Sequence, residues 1–204
     1  MTIQLFHCDQ GTDEWRRCRL GIPTASEFGS ILAKGERKMR HTYMMKLLGE
    51  RFTGEPADNY TNGHMERGKA MEDEARRLYA FMQDAEPVRV GFVRRGDVGC
   101  SPDSLVGDDG MLEIKTKLPH LQIAALIAGK LPPEHLAQVQ GQMWVAERQW
   151  VDFVSYWPKL PLFVKRVPRD EAYIATLVAE VEQFLAELND KAAWLAKNGA
   201  TLAA

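Results

Sequence analysis

Residues 110–117 alternate between apolar and charged side chains over the length of a typical strand. Leu112 and Ile114 fall on one side of this pattern, and Glu113 and Lys115 fall on the other. A period of two is typical of a β-strand, because successive side chains of a strand point to opposite faces. The segment therefore predicts a strand that presents a carboxylate and an ammonium on the same face.

A second carboxylate is expected beside this pair. Asp103 follows an apparent strand end, and residues 107–110 read GDDG, a tight-turn sequence that would fold Asp103 back beside Glu113. Carboxylates are preferred ligands of Mg²⁺, and the Lys115 ammonium would lie where an attacking water meets a phosphate oxygen. This arrangement favours phosphodiester hydrolysis. The alternative is that these residues are solvated charges on an exposed strand face.

Periodicity elsewhere predicts helices around a mixed sheet. Helical spacing of apolar residues indicates a helix over residues 64–82 and a long helix from Asp170 onward. A further helix opens at Pro132, and the remaining predicted strands are 88–95, 150–157 and 163–167. The apolar positions of the first helix are Met71, Ala75, Leu78 and Met82, and those of the last are Ile174, Leu177, Val178, Val181, Leu185 and Leu188. This order of elements predicts an α/β fold with a central mixed β-sheet flanked by helices.

Composition narrows the class of protein. The 204 residues, of which 45% are hydrophobic, fit one domain over residues 1–204 and exclude wholesale disorder. With 26 Lys and Arg against 28 Asp and Glu, the net charge of −2 gives no sign of nucleic-acid binding.

The three cysteines form no CxxC pair and the five histidines lack ligand spacing, which argues against a disulfide framework and a zinc site. The N-terminus lacks a signal-peptide pattern, and no apolar run reaches the length of a membrane span, so a cytoplasmic protein is expected.

Four motifs occur in a fixed order along the chain. They are WRRCRLGIPTAS at residues 15–26, GKAME at 68–72, the CSPDSL and MLEIK segments at 100–105 and 111–115, and HLAQVQGQMWV at 135–145. Together they resemble the phage lambda exonuclease family, also described as YqaJ-like viral recombinases, within the PD-(D/E)xK nuclease superfamily. The resemblance extends from Trp15 to Trp157 and implies a restriction-endonuclease-like core for the predicted sheet.

The resemblance implies roles for the residues of the predicted strand and turn. Asp103 and Glu113 match the metal-binding carboxylates of the family, and the backbone carbonyl of Ile114 matches a further metal ligand. Lys115 matches the catalytic lysine, which would position or deprotonate the attacking water. The implied cofactor is one or two Mg²⁺ ions, for which Mn²⁺ would substitute.

Two helices are expected to complete this centre. Glu72 matches a further active-site acid and metal ligand, the alternative being an ordinary surface glutamate. Gln138 matches a glutamine near the metals. His135, Gln138 and Gln142 share one helix face, which is predicted as a polar stripe available to a substrate or, alternatively, as a solvated face. Leu136, Val139 and Met143 are predicted to face the core.

The resemblance also implies a pocket for the 5′-phosphate of a DNA end. Arg19, Ser26 and Ser101 match its residues, and a guanidinium with two hydroxyls suits a phosphate dianion. For Ser26 the structural alternative is that it, or Thr24, caps a following helix, and for Arg19 the alternative is a surface arginine. Arg37, in a locally basic stretch, is predicted to contact a further phosphate.

The expected function is therefore an Mg²⁺-dependent 5′-to-3′ exonuclease that degrades one strand of linear double-stranded DNA. It would release 5′-mononucleotides and leave 3′ single-stranded tails. The resemblance implies a ring-shaped homotrimer around DNA, a single-strand annealing protein as partner, and a phage or prophage protein in the bacterial cytoplasm, away from membranes. The acidic helix over residues 170–190 would serve as a subunit contact or a solvated face. The alternatives are a PD-(D/E)xK endonuclease and a non-catalytic DNA-end-binding module.

Overall fold

The computed structural model describes residues 2–33, 37–57 and 63–203. Eight strands form two sheets, a three-stranded sheet in the order β1-β3-β4 and a five-stranded sheet in the order β2-β5-β6-β7-β8. The strands are β1 (Ile3–Phe6), β2 (Pro87–Val88), β3 (Phe92–Arg95), β4 (Val98–Cys100), β5 (Ser104–Val106), β6 (Gly110–Thr116), β7 (Trp150–Tyr156) and β8 (Phe163–Pro168). Helices pack around the sheets, so the α/β architecture is the predicted one.

Three helices of the described residues fall where the sequence predicts them, and four were not predicted: three near the N-terminus and one over residues 119–128. In chain order, the helices are α1 (Asp13–Arg19), α2 (Phe28–Leu32), α3 (Arg37–Thr53), α4 (Gly63–Gln83), α5 (Pro119–Ala128), α6 (Leu136–Ala146) and α7 (Glu171–Lys197). Short 3₁₀ turns, Ala25–Glu27 and Pro133–His135, lead into α2 and α6. No helix in these ranges is long and apolar enough to cross a membrane.

Strand β6 lies at the centre of the larger sheet. It pairs antiparallel with β5 on one side and parallel with β7 on the other, and β7 pairs antiparallel with β8. Both faces of β6 are covered, so Met111 and Leu112 are fully buried although they point to opposite faces. Glu113 is only 2% exposed. The alternative of solvated charges on an exposed strand face is therefore wrong for Glu113.

The predicted strand over residues 88–95 is two strands in two different sheets. Pro87 and Val88 extend the larger sheet beside β5, whereas Phe92–Arg95 pairs with β1 and β4. Gly91 lies at the change of direction, where its amide donates to the Phe6 carbonyl and an added Cβ would clash with the Cys8 carbonyl. β1 was not predicted, because its four residues carry no clear alternation.

Helix α4 follows the predicted range but only half of the predicted stripe. Met71 and Ala75 are buried, whereas Leu78 and Met82 are 37% and 55% exposed. Tyr79 is buried instead, and its hydroxyl donates to Oδ2 of Asp152 on β7 at 2.7 Å. The helix is therefore fixed to the sheet by a polar contact that an apolar count does not detect.

Helix α7 covers the other side of the molecule. Asp170 caps it, since its Oδ1 accepts a hydrogen bond from the amide of Tyr173 at 3.0 Å. The buried residues of the helix are Ile174, Leu177, Val181, Phe184, Leu188 and Ala192. Val178 and Leu185 lie at the edge of the core, half-buried. Most of the predicted stripe is therefore core.

Candidate active site

The turn between β5 and β6 brings Asp103 to the strand that carries Glu113 and Lys115. The Asp103 amide donates to the Leu112 carbonyl at 3.1 Å, which continues the β5–β6 pairing by one residue. The Ile114 amide donates to Oδ2 of Asp103 at 2.5 Å. The carboxylate of Asp103 is thus held against the backbone of β6, as the GDDG sequence predicts.

Glu113 is the most densely bonded side chain of the site. Its Oε1 accepts hydrogen bonds from Lys115 Nζ and from Gln138 Nε2, both at 2.6 Å. Its Oε2 accepts one from Gln142 Nε2, also at 2.6 Å. Helix α6 therefore lies over β6 with two glutamine amides directed at one carboxylate.

The polar stripe of α6 is not the solvated face that was the alternative interpretation of its spacing. Gln142 is 1% exposed, and Gln138 is bonded to Glu113. His135 stacks on Phe153 of β7, with ring centroids 5.0 Å apart. The expected core residues Val139 and Met143 are buried as predicted. The stripe is polar because it faces a buried charge, which is a reason that the sequence alone does not reveal.

Glu72 completes a group of three carboxylates. Burial raises its pKa, and the charge of Glu113 raises it further against the opposing effect of Arg76. Burial and the charges of Glu113 and Glu72 raise the pKa of Asp103 well above its ordinary value. Burial lowers the pKa of Lys115, but the neighbouring Glu113 more than offsets this, so the net shift is upward. The site therefore holds more negative charge than Lys115 alone neutralises.

These groups match a divalent cation in donor chemistry and in charge. Within the described ranges, no three Asp, Glu, His or Cys side chains converge as a ready ligand group. Asp103 and Glu113 instead accept the hydrogen bonds given above. Their oxygens are the donors that Mg²⁺ prefers, and the mutual repulsion of the carboxylates is what a bound cation relieves.

Arg76 is a site residue that the sequence reasoning missed. It lies one turn after Glu72 on α4, and its side chain is 12% exposed. Its Nε donates to the Ser104 hydroxyl at 3.0 Å and its Nη2 to the Asp103 carbonyl at 3.4 Å. The i, i+4 spacing from Glu72 was visible, but the strand turn that the helix faces was not. Glu72, Arg76 and Asp103 line a cavity of about 310 Å³, together with Asp9, Asp73 and Arg89.

A second cluster gathers the three residues predicted for the phosphate pocket. Arg19 Nη2 donates to Thr24 Oγ1 at 3.2 Å, and Thr24 Oγ1 lies 3.2 Å from Ser26 Oγ. The indole of Trp15 donates to the Ser101 hydroxyl at 2.8 Å, and the Arg19 guanidinium lies 4.2 Å above that same ring. Trp15 and Thr24 are thus the links between the predicted residues.

The alternative roles in this region are not supported. Thr24 precedes the 3₁₀ turn, but its side chain makes no capping hydrogen bond, and its amide donates to the Tyr43 hydroxyl. Arg19 is no ordinary surface arginine, since burial lowers its pKa. Arg37 is the first residue of α3, and its side chain lies outside the described part of the chain, so its predicted contact is not located.

The YqaJ-like viral recombinase domain matches residues 14–149, two thirds of the chain and both clusters. The protein belongs to this family. Among solved structures, this YqaJ-like protein is similar to the alkaline exonuclease LHK-Exo from Laribacter hongkongensis, with 38% identity and a TM-score of 0.85 over 92% of this chain and 97% of that one. A structure of LHK-Exo in complex with dAMP matches over the same shares at a TM-score of 0.86.

A more distant structure shares the fold of this YqaJ-like protein. It is a phage-related exonuclease from Haemophilus somnus 129PT, which has 14% identity and a TM-score of 0.61 over 87% of this chain and 96% of that one. No curated protein matches the sequence significantly.

The crowded carboxylates make a prediction about stability. A folded-state pKa of Asp103 above its unfolded value means that stability is lost as pH rises from about 4 through the raised value. In the metal-free protein at pH 7.5, Asp103→Asn is therefore expected to raise the melting temperature, by about 2–4 °C for each kcal/mol relieved. The amide oxygen of Asn can still accept from the Ile114 amide.

Thermal unfolding in EDTA at pH 4 and pH 7.5 measures this effect. The gain should shrink at pH 4, where the Asp103 carboxyl is protonated in the folded wild type. Asp190→Asn, at an exposed position of α7, is the matched control and should change little. A variant less stable than wild type at pH 7.5 would show that the carboxylate charge is compensated in the folded protein.

Proposed function

We propose that this YqaJ-like protein is an Mg²⁺-dependent 5′-to-3′ exonuclease of linear double-stranded DNA, formed as a single nuclease domain over residues 1–204. It removes 5′-mononucleotides from one strand and leaves 3′ single-stranded tails for phage-type recombination by strand annealing. The observation that carries the proposal is the pair of clusters, one acidic with Lys115 and one cationic with hydroxyls. The 38% identity with an alkaline exonuclease supports the reaction class, and the dAMP complex of that relative supports a mononucleotide product.

The acidic cluster is the proposed hydrolytic centre. The carboxylates of Asp103, Glu113 and Glu72 and the backbone carbonyl of Ile114 would hold one or two Mg²⁺ ions, with Mn²⁺ able to substitute. When bound, the metal supplies activation of water and stabilisation of the leaving 3′-oxygen.

The other residues of the centre orient groups around the scissile phosphate. Lys115 remains an ammonium near neutral pH, because the net shift of its pKa is upward. It therefore donates hydrogen bonds to the attacking water and to a phosphate oxygen and fixes their approach. Gln138 and Gln142 hold the Glu113 carboxylate in one orientation, since each donates to a different oxygen. Arg76 fixes the backbone of Asp103 relative to the helix that carries Glu72.

The cationic cluster is the proposed pocket for the terminal 5′-phosphate. Arg19 brings a guanidinium, and Thr24, Ser26 and Ser101 bring hydroxyls, all of which donate to a phosphate dianion. With the terminal phosphate held there, the next phosphodiester along the strand faces the carboxylates. Each cut creates a new 5′-phosphate that enters the same pocket, which sets the direction of degradation.

Digestion of a 5′-phosphorylated linear duplex in Mg²⁺ tests the activity. We expect mononucleotides from the linear duplex, no cutting of a covalently closed circle, and no product from the Asp103→Ala variant. Asp190→Ala on α7 is the control and should retain activity. Cutting of the circle would support the endonuclease alternative, whereas binding of the linear duplex without turnover would support the end-binding module.

The phosphate pocket is tested by the state of the 5′ end. We expect wild type to degrade a 5′-phosphorylated duplex faster than a 5′-hydroxyl duplex, and Arg19→Met to reduce this preference by roughly tenfold, the effect of losing a charge-assisted hydrogen bond. Arg17→Met, an exposed arginine of α1, is the matched control. Equal rates of wild type on both duplexes would remove the assignment of the pocket.

We further propose that the protein works as a homotrimeric ring around DNA, with a single-strand annealing protein as partner, in the cytoplasm of a bacterial host as a phage or prophage protein. The ring predicts a solution mass of three times 23.1 kDa. Multi-angle light scattering measures it, and the monomer mass would contradict the ring. Two acids of the helix α7 already pair within the chain, Glu187 with Arg40 at 2.7 Å and Glu171 with Arg169 at 2.5 Å.

A further inference from the structure

Lys117 and His135 form a hydrogen-bonded pair next to the hydrolytic centre that the mechanism above does not use. Lys117 follows the last residue of β6, and its Nζ lies 2.8 Å from Nε2 of His135. Their side chains are 21% and 13% exposed, so the pair lies at the rim of the site and not in open solvent. Lys117 lies two residues after Lys115, just beyond the end of β6, and His135 lies three residues before Gln138, just before the start of α6.

His135 acts as an acceptor in this contact. Burial and the charges of Lys117 and Lys115 lower the pKa of His135 to about 4, so the ring is neutral near pH 7. A neutral imidazole with its proton on Nδ1 accepts at Nε2 from the Lys117 ammonium. Stacking on Phe153 fixes the ring, so the ammonium has one defined position.

The ammonium has capacity to bind an anion. An ammonium has three N–H donors, and His135 accepts one of them. The Glu134 carboxylate lies 3.7 Å away, beyond hydrogen-bond distance, and is itself 60% exposed. Among the residues that the structure describes, no other hydrogen-bond acceptor of Lys117 is present.

The position of the pair matches the path of a nucleic-acid strand. Two residues along a β-strand span roughly 6.7 Å, which is about the separation of successive backbone phosphates, so Lys115 and Lys117 are spaced to contact neighbouring phosphates. Positions along helix α6 locate His135 relative to the turn that holds Ser26. Near Gly141 it packs so closely against Ala25 of the 3₁₀ turn and Phe28 that an added Cβ would clash with the Phe28 ring, and Ser26 belongs to this turn. His135 lies six residues earlier, roughly 9 Å along the axis. Gln138, one of the two glutamines of α6 that donate to Glu113, lies between them, and Gln142, the other, follows Gly141.

We propose that Lys117, held in position by His135, binds the backbone phosphate immediately 3′ of the scissile phosphate in the strand that is cut. The terminal phosphate is then held at Arg19, the scissile phosphate at Glu113 with Lys115, and this third phosphate at Lys117. This assignment rests on the proposed exonuclease function and adds a specific backbone contact to it.

A thermodynamic cycle tests the contact by combining one protein substitution with one substrate modification, each measured alone and together. The substrate is a 5′-phosphorylated duplex in which one neutral methylphosphonate replaces the second internal phosphate of the cut strand. Release of the first mononucleotide is measured, because the methylphosphonate becomes the scissile linkage after that cut. For wild type we expect KM of this first cut to rise roughly five- to tenfold on the modified duplex with little change in its kcat, as for the loss of one charge-assisted hydrogen bond. Lys117→Met should raise KM on the unmodified duplex by a similar factor and show no further rise on the modified one.

Controls separate this contact from general electrostatics and from folding. Lys197→Met removes an exposed charge at the end of α7 and should leave the effect of the methylphosphonate intact. The slope of log Kd against log salt should fall by about one for Lys117→Met. His135→Gln keeps an acceptor and should retain more of the wild-type KM than His135→Leu. Independent, multiplicative effects of Lys117→Met and the methylphosphonate would overturn the proposal.

The failure of this contact and the failure of the exonuclease function are distinguishable. If the protein degrades the unmodified duplex but the effects of Lys117→Met and of the methylphosphonate on KM multiply, the contact of Lys117 is wrong and the exonuclease function is not affected. If wild type does not degrade the unmodified duplex, the exonuclease is wrong, and the same cycle is then measured as Kd by fluorescence anisotropy on the same two duplexes. Non-additivity in Kd would support the phosphate contact in a binding protein, and additivity would overturn it.

Discussion

The burial of the Glu113 carboxylate is the constraint on which the arrangement of the site depends. A charge removed from water costs several kcal/mol unless hydrogen bonds and an opposite charge compensate it. Lys115 supplies the opposite charge, and Gln138 and Gln142 supply donors from α6. The helix must therefore lie over β6 in one register, because Gln138 and Gln142 each donate to a different oxygen of Glu113. The same helix follows directly on His135, and near Gly141 it packs against the turn that holds Ser26.

The features that could be predicted from sequence are those decided by neighbouring residues. The alternation of β6, the turn before it and the apolar stripe of α7 are local patterns, and the structure contains them within one or two residues of the predicted bounds. The approach of Asp103 to β6 also follows from a local turn. The residues proposed for the phosphate pocket came from the resemblance to a family, since Ser101 and Arg19 are 82 positions apart and are linked through Trp15.

The features that could not be predicted depend on which surface an element meets. The helical spacing of α4 fits an apolar stripe that includes Leu78, yet Tyr79 is buried, because Asp152 on the facing strand accepts its hydroxyl. Gln142 looks like a solvated polar residue until the Glu113 carboxylate is placed beneath it. Arg76 is one of several arginines of a charged helix until the turn at Ser104 is in place. In each case the partner lies more than twenty residues away, and no local signal reports it.

Charge segregation explains how a chain with a net charge of −2 can present a path for nucleic acid. Asp103 and Glu72 lie close enough to Glu113 for its charge to raise the pKa of each, and a divalent cation bound among them would reverse the local charge. The cations lie apart from these acids: Arg19 belongs to the cluster of Trp15, Thr24 and Ser26, and Lys117 contacts His135 just before α6. Several further acids belong to α7, where Glu187 is paired with Arg40 within the chain. The net charge is the sum over all these regions and therefore does not show how the charges are distributed. A nucleic-acid strand would interact with the local electrostatic field of the surface it contacts. In the proposed exonuclease, the acidic centre and the cationic residues therefore act on different parts of the same strand, and the loss of either would leave the other with a substrate it could not align or could not cut.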